Sequence, residues 1–156
     1  RIVVAAPSYL ARRGTPQSPD ELPAHDCLVV RENDDSPALW RLHPAARRGQ
    51  PRVLRVQGPL SSNHGEVVRG WALAGLGLML RSQWDVHAHL ERGELVHVLP
   101  GWAMVDADVH LVLPPRDLRL AAPRRLKLLQ DHLVAAFAHP PWAAPVSAPP
   151  ARRRAP

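Results

Sequence analysis

A single cysteine, Cys27, stands in 156 residues, which excludes an intrachain disulfide and fits a reducing compartment. Its expected role is that of a small buried residue in the strand Asp26-Cys-Leu-Val-Val30. Long apolar runs are also missing: nothing approaches the roughly 18 residues of a membrane helix. With a hydrophobic content of 46%, the pattern predicts a soluble, globular, cytoplasmic chain of about one domain. The opening Arg1-Ile-Val-Val-Ala-Ala-Pro7 lacks a methionine, and its apolar run is too short for a signal peptide. It reads as a strand entered in mid-protein. Tyrosine and phenylalanine occur once each, against five tryptophans, so tryptophan carries most of the aromatic bulk.

Charge of one sign is in excess, at +6, yet its placement argues against nucleic acid as a partner of the body. Three of the 20 basic residues are Arg152, Arg153 and Arg154, leaving 17 bases against 14 acids over 1–139. Residues 140–156 also hold six of the 18 prolines, a composition that favours extended or disordered chain. Three terminal arginines can touch phosphates, but a solvated tail is the simpler reading.

Ile2–Ala6 is a continuous apolar run ended by Pro7, the signature of a strand buried on both faces. Ser8 can cap a short helix through Arg13, stopped by Gly14. Ser18-Pro-Asp-Glu21 has the residues of a second helix start, broken at Pro23. Strands are expected at Cys27–Arg31, around Leu39–Leu42, at Val53–Val56, at Leu78–Leu80, at Leu95–Leu99 and at Val109–Leu113. Pro123 should open a last helix with Leu126, Leu129, Leu133 and Phe137 on one stripe, ended before Pro140. Strands and helices alternating at these lengths predict an α/β domain with a largely parallel, twisted sheet.

The stretch Gly58–Asp85 carries the most information, reading as strand, polar turn, helix, glycine turn, strand and helix. Asn63 is a good N-cap and Glu66 can return a hydrogen bond, so a helix should run from His64 to about Gly75. Val67, Val68, Trp71, Ala72 and Leu76 fall broadly on one side of it. Its start presents unpaired N–H groups and the positive end of the helix dipole, a place for an anion. Arg81 closes the next strand, and Ser82-Gln-Trp-Asp85 repeats the capping box. Arg81 is open to two roles: a structural salt bridge with Asp85 or Glu91, or a contact to a bound carboxylate.

Other residues suggest chemistry that their spacing does not support. Gly75-Leu-Gly77 ends a helix and leads into a strand, the wrong order for cradling a pyrophosphate, so no dinucleotide cofactor is expected. His87-Ala-His89 would point about 200° apart on a helix and reads as a surface pair, not a metal site. Ser61, Ser62, His64 and Glu66 crowd one helix start and cannot align as nucleophile, base and orienter, and no Gly-x-Ser-x-Gly elbow exists. The expectation is a chain with no catalytic residue, cofactor or metal. Trp71 and Trp84 are expected under the sheet, while Trp40 suits either core or cleft.

At these residues the chain resembles the C-terminal effector-binding domain of LysR-type transcriptional regulators. The resemblance is carried by Val3-Val-Ala-Ala-Pro-Ser-Tyr-Leu-Ala-Arg-Arg-Gly-Thr-Pro16, Asp20-Glu-Leu22, His25-Asp-Cys-Leu28 and Trp40-Arg-Leu42. It continues through Gly58-Pro-Leu-Ser-Ser-Asn63, Gly65-Glu-Val67, Leu73-Ala-Gly-Leu-Gly77, Arg81-Ser-Gln-Trp-Asp85 and Gly93-Glu-Leu-Val-His-Val-Leu-Pro100, covering roughly residues 1–139.

The resemblance implies a type 2 periplasmic-binding-protein-like α/β fold of two lobes joined by crossing strands, with the effector between the lobes. By that likeness residues 1–6 are one crossing strand, 7–105 the second lobe, 106–115 the return strand, 116–139 the C-terminal helix of the first lobe and 140–156 a Pro/Arg tail. The DNA-reading winged helix-turn-helix and most of the first lobe are not in this sequence, so DNA contact is expected only through the full-length protein. The final stripe of Leu126, Leu129, Leu133 and Phe137 would be covered by that lobe or by a neighbouring copy. Second-lobe ligand contacts in such regulators map to Ser62, Asn63, His64 and Arg81, and the effector implied is a small carboxylate. The partners implied are that effector, operator DNA and further copies in a dimer or tetramer, with no membrane. A solute-binding protein of a transport system with the same fold is the alternative.

Overall fold

A computed structural model describes residues 1–31, 38–45, 49–104, 110–112, 124–140 and 142. They fall into two compact units, one within Arg1–Ala107 and one within Asp108–Pro145. In chain order the first unit contains β1 (Ile2–Ala5), α1 (Pro7–Arg13), a 3-10 helix (Pro19–Ala24), β2 (Cys27–Val30), β3 (Leu39–Pro44) and β4 (Arg52–Arg55). It continues with β5 (Ser61–Ser62), α2 (Gly65–Leu73), β6 (Leu78–Arg81), α3 (Gln83–Glu91), β7 (Val96–Val98) and β8 (Trp102–Ala103). The second unit contains α4 (Arg124–Ala138).

β1 is buried along its whole length, and the two-residue alternation of a strand divides its side chains between two cores. Ile2 and Val4 join Leu28, Val68, Ala72, Met79, Val86 and Leu90 on the side covered by α2 and α3. Val3 and Ala5 join Tyr9, Cys27, Trp40, Leu42, Leu78 and Val98 on the other. Cys27 is a buried free thiol, as expected, and burial pushes its pKa up to about 12. Trp40 belongs to the core, with Leu42 on the same face of β3 and Arg41 pointing outward.

The main sheet has the order β5-β2-β6-β1-β7. It is mixed, which corrects the expectation of a largely parallel sheet. β2 runs parallel to β5 and β6, whereas β1 runs antiparallel to both β6 and β7. A strand buried on both faces has the same apolar composition whichever way its neighbours run, so composition cannot reveal direction. A smaller antiparallel sheet has the order β4-β3-β8.

Helix ends follow local chemistry more closely than helix starts. The glycine at position 75, with φ of +73°, closes α2 as a Schellman turn: Leu76 N donates to Trp71 O and Gly75 N to Ala72 O, both at 3.0 Å. A Cβ on Gly75 would lie 2.3 Å from Ser8 Oγ, and one on Gly77 would lie 2.2 Å from the Asp26 carbonyl oxygen. Both glycines let the chain pass close to its neighbours. By contrast, α1 begins at Pro7 with Ala6 before it, not at a Ser8 cap, because proline's fixed φ suits the first helical position. Ser18 caps nothing through its side chain, although its hydroxyl meets Glu21 Oε1 at 3.1 Å. Pro23 lies inside the 3-10 helix and does not break it.

In the second unit α4 spans 15 residues, and none of its residues is buried. Leu128, Leu129, Val134 and Phe137 are exposed, and Trp142 meets Phe137 edge-on at 5.8 Å. A cleft of about 360 Å³ is lined by His110, Leu111, Leu133, Val134 and Phe137. His110, Leu111 and Val112 are exposed and form no strand, which corrects the expected strand there; Val109 and Leu113 lie outside the described residues. Apart from Pro140 and Trp142, so does the tail. Among the described residues no helix is long and apolar enough to cross a membrane.

Candidate functional site

The parallel pairing of β2 with β5 delivers the polar turn to the end of the main sheet. Val30 lies opposite Ser62, and Arg31 N donates to Ser62 O at 2.8 Å. The Ser62 hydroxyl then accepts the N–H of His64 at 3.1 Å, a local side-chain turn that competes with helix formation. In consequence α2 starts at Gly65 with His64 as N-cap and no side-chain cap, which corrects the expected Asn63 cap and its Glu66 partner. Ser62 is half-buried, whereas Asn63, His64 and Glu66 are exposed. Val67 and Leu76, expected on the buried side of α2, are also exposed; Val68 and Ala72 face the core.

Arg81 ends β6 beside this helix start. Its guanidinium lies where a side chain on Gly65 would be: a Cβ there would sit 2.2 Å from both terminal nitrogens and 2.3 Å from Cζ. Arg81 Nε donates to Asp85 Oδ2 at 2.6 Å, and Arg69 Nη1 donates to Asp85 Oδ1. The three side chains are 15%, 9% and 25% exposed for Arg81, Asp85 and Arg69, so the group is largely withdrawn from water. Of the two acids open to Arg81 in the sequence, Asp85 is the one that pairs with it. Glu91 instead meets His87 Nε2 at 3.4 Å.

The commitment of Asp85 to two arginines explains why the second capping box does not form. Ser82 is the N-cap of α3, but no side-chain hydrogen bond completes the cap. The structure therefore brings Ser62, Asn63, His64 and Arg81 to one helix start, and adds Gly65, Arg69 and Asp85. Arg69 lies four residues after Gly65, on the same face of α2. The spacing was visible in the sequence, but nothing there identified Asp85 as its partner. Two guanidinium groups around one carboxylate, at the positive end of a helix, are suited to attracting an anion.

Elsewhere the histidines of α3 diverge. His89 Nδ1 meets Glu94 at 2.6 Å, and Arg92 binds the same carboxylate at 2.9 Å. Those bonds, Arg92's first, hold the Glu94 carboxyl down to about 2. His87 and His89 are half-buried, and no group of three potential metal ligands forms among the described residues. Trp71 is partly buried against the α2 side of the sheet. Trp84 is 54% exposed, which corrects its expected place under the sheet. It occupies the first turn of α3, while Val86 and Leu90 make that helix's core contacts.

Residues 1–138 match the family described as the LysR substrate binding domain. The HTH-type transcriptional activator TtdR of Escherichia coli K12 is 50% identical over 103 residues, covering 66% of this chain and 32% of TtdR. The HTH-type transcriptional regulator DmlR of the same strain is 44% identical over 100 residues, or 64% of this chain and 32% of DmlR. This chain thus spans about a third of the length of these relatives. Among solved structures, the regulatory domain of AphB from Vibrio vulnificus superposes with a TM-score of 0.69 at 25% identity, covering 86% of this chain and 63% of that one. The CrgA regulatory domain of Neisseria meningitidis, a LysR-type transcriptional regulator, gives 0.66 at 28% identity over the same shares. The mixed α/β architecture is the periplasmic-binding-protein-like fold of these regulatory domains.

Proposed function

We infer that this chain, which belongs to the LysR substrate binding domain family, senses a small carboxylate and modulates DNA binding and transcription by the full-length protein. The observation that carries this reading is the Arg81 guanidinium laid across Gly65 at the start of α2. The carboxylate docks there, receiving hydrogen bonds from the first N–H groups of the helix and from the side chains of Ser62, Asn63 and His64, with Arg81 supplying charge. Ser62 is already oriented by its bond to His64 N.

In this reading residues 7–105 form the second lobe, 1–6 and 106–115 are the segments crossing between lobes, 116–139 belong to the first lobe and 140–156 are a tail. Effector binding favours the closed arrangement of the lobes, and the differential affinity for that state is what reaches the DNA-binding part. The protein acts in the cytoplasm as a homo-oligomer, and the exposed apolar residues of α4 support a requirement for cover by further protein. No observation favours the transport alternative, and the relatives are named as transcriptional regulators.

Calorimetry of the full-length protein against a panel of organic acids tests the reading. Asn63→Ala and Arg81→Ala should each weaken the acid that binds. Unchanged affinity in both variants would sink the assignment.

A further inference from the structure

Arg81 reaches the start of α2 only because position 65 has no side chain. Its guanidinium occupies the space a Cβ would fill, with Cζ and both terminal nitrogens all within 2.3 Å of that point. Asp85 fixes the group from the other side through Nε at 2.6 Å, and Arg69 braces the second oxygen of Asp85. Ordinary van der Waals contact begins a full ångström farther out, so a methyl group at residue 65 and the guanidinium cannot share this place. The backbone of α2 and that of β6 are both packed into the core through Val68, Ala72, Leu78 and Met79. The arginine head is therefore what must move.

We propose that Gly65 is a positioning residue for the anion site: it admits the Arg81 guanidinium to the helix start, and Asp85 locks it there. This rests on the carboxylate reading given above and specifies how the charge of that site is set. A glycine at this first helical position leaves room for Arg81. At Gly70 of the same helix, a methyl group would meet nothing within 4 Å, so close approach is peculiar to Gly65 within α2.

The test is a cycle of four full-length proteins: unsubstituted, Gly65→Ala, Arg81→Ala and the double variant. Each is titrated calorimetrically with succinate, benzoate and inorganic sulfate, and its thermal unfolding is followed. Gly65→Ala should weaken binding about tenfold and lower the unfolding midpoint by no more than Arg81→Ala does, since both lose the same Arg81–Asp85 contact. Adding it to Arg81→Ala should weaken binding no further, because residues acting through one contact are not additive. A crystal structure of Gly65→Ala should show the guanidinium displaced from Asp85. Parental affinity in Gly65→Ala, losses that multiply in the double variant, or an unmoved guanidinium would each overturn the proposal. Absence of binding by all three anions to the unsubstituted protein overturns the carboxylate reading itself and the proposal with it.

Discussion

The hydroxyl of Tyr9 accepts the backbone N–H of Asp26 at 2.9 Å and meets His25 Nδ1 at 3.1 Å, which ties α1 to the entry of β2. Tyr9 is 1% exposed, and burial raises its pKa above the ordinary 10. Tyr9→Phe removes the acceptor and strands the Asp26 N–H, at an expected cost of about 1–2 kcal/mol in urea unfolding. Because Tyr9 is the chain's one tyrosine, an absorbance titration reads it directly, with a midpoint above 10. The raised folded pKa adds stability that is complete below pH 10 and is lost as pH rises toward that midpoint.

Two ion pairs in this fold should behave differently. Asp85→Asn removes the carboxylate that the partly buried Arg81 and Arg69 share, at an expected cost of about 3 kcal/mol. Asp26→Asn removes a 3.5 Å pair with Arg13 whose side chains are 42% and 50% exposed, and should cost about 0–1 kcal/mol. Denaturant midpoints at one pH measure both, and equal losses would contradict the distinction.

Glycine substitutions should separate by environment. Gly70→Ala fills open space on α2 and should stabilise by about 0.5–1 kcal/mol. Gly77→Ala drives a methyl group into the Asp26 carbonyl oxygen, 2.2 Å away, and should cost about 1–3 kcal/mol. Chemical denaturation of the two variants gives opposite signs.

His97, on β7 opposite Val4, has a buried Nε2 with no partner among the described residues, and burial lowers its pKa. The unfolded chain therefore binds the proton more readily. The stability associated with neutral His97 is complete above its unfolded pKa, about 6.5, and is lost as pH falls from there toward the lower folded value. His97→Gln should flatten the fall in unfolding free energy between pH 7 and 5 relative to the unsubstituted protein. An unchanged pH profile would show that His97 does not contribute to it.

Glu66 is the acidic residue in the first turn of α2 and is exposed to solvent. It opposes the anion attraction attributed to the helix start. Glu66→Gln should tighten carboxylate binding about twofold, the scale of one exposed charge in a high dielectric. The gain should shrink at high salt, which calorimetry at two ionic strengths checks.

Much of the architecture is legible in short stretches of chain, because its causes are local. The run Ile2–Ala6 announces a strand with no solvent face, and β1 is buried throughout. Gly75 and Gly93 mark helix ends because a left-handed residue is required there, and both have positive φ. The polar turn before α2 and the basic end of β6 were recognisable for the same reason, as were the family motifs. A pair of residues in the turn set the exact start: Ser62's hydroxyl took the N–H of His64, and Asn63 was left without the capping role its residue type suggests.

What the local pattern could not determine are the relationships across the sheet. Strand direction depends on which strand lies between β6 and β7, and β1 inserts there antiparallel to both. Asp85 has the right spacing for a cap, yet two arginines supplied by β6 and α2 take its carboxylate. Gly65 and Arg81 are 16 positions apart and touch only because α2 packs beside the end of β6. Glycine helix ends, the Ser62 turn and the burial of β1 arise within a few residues and are written in the chain, whereas the helix caps and the charged arrangement at the start of α2 are decided only once packing has chosen the neighbours.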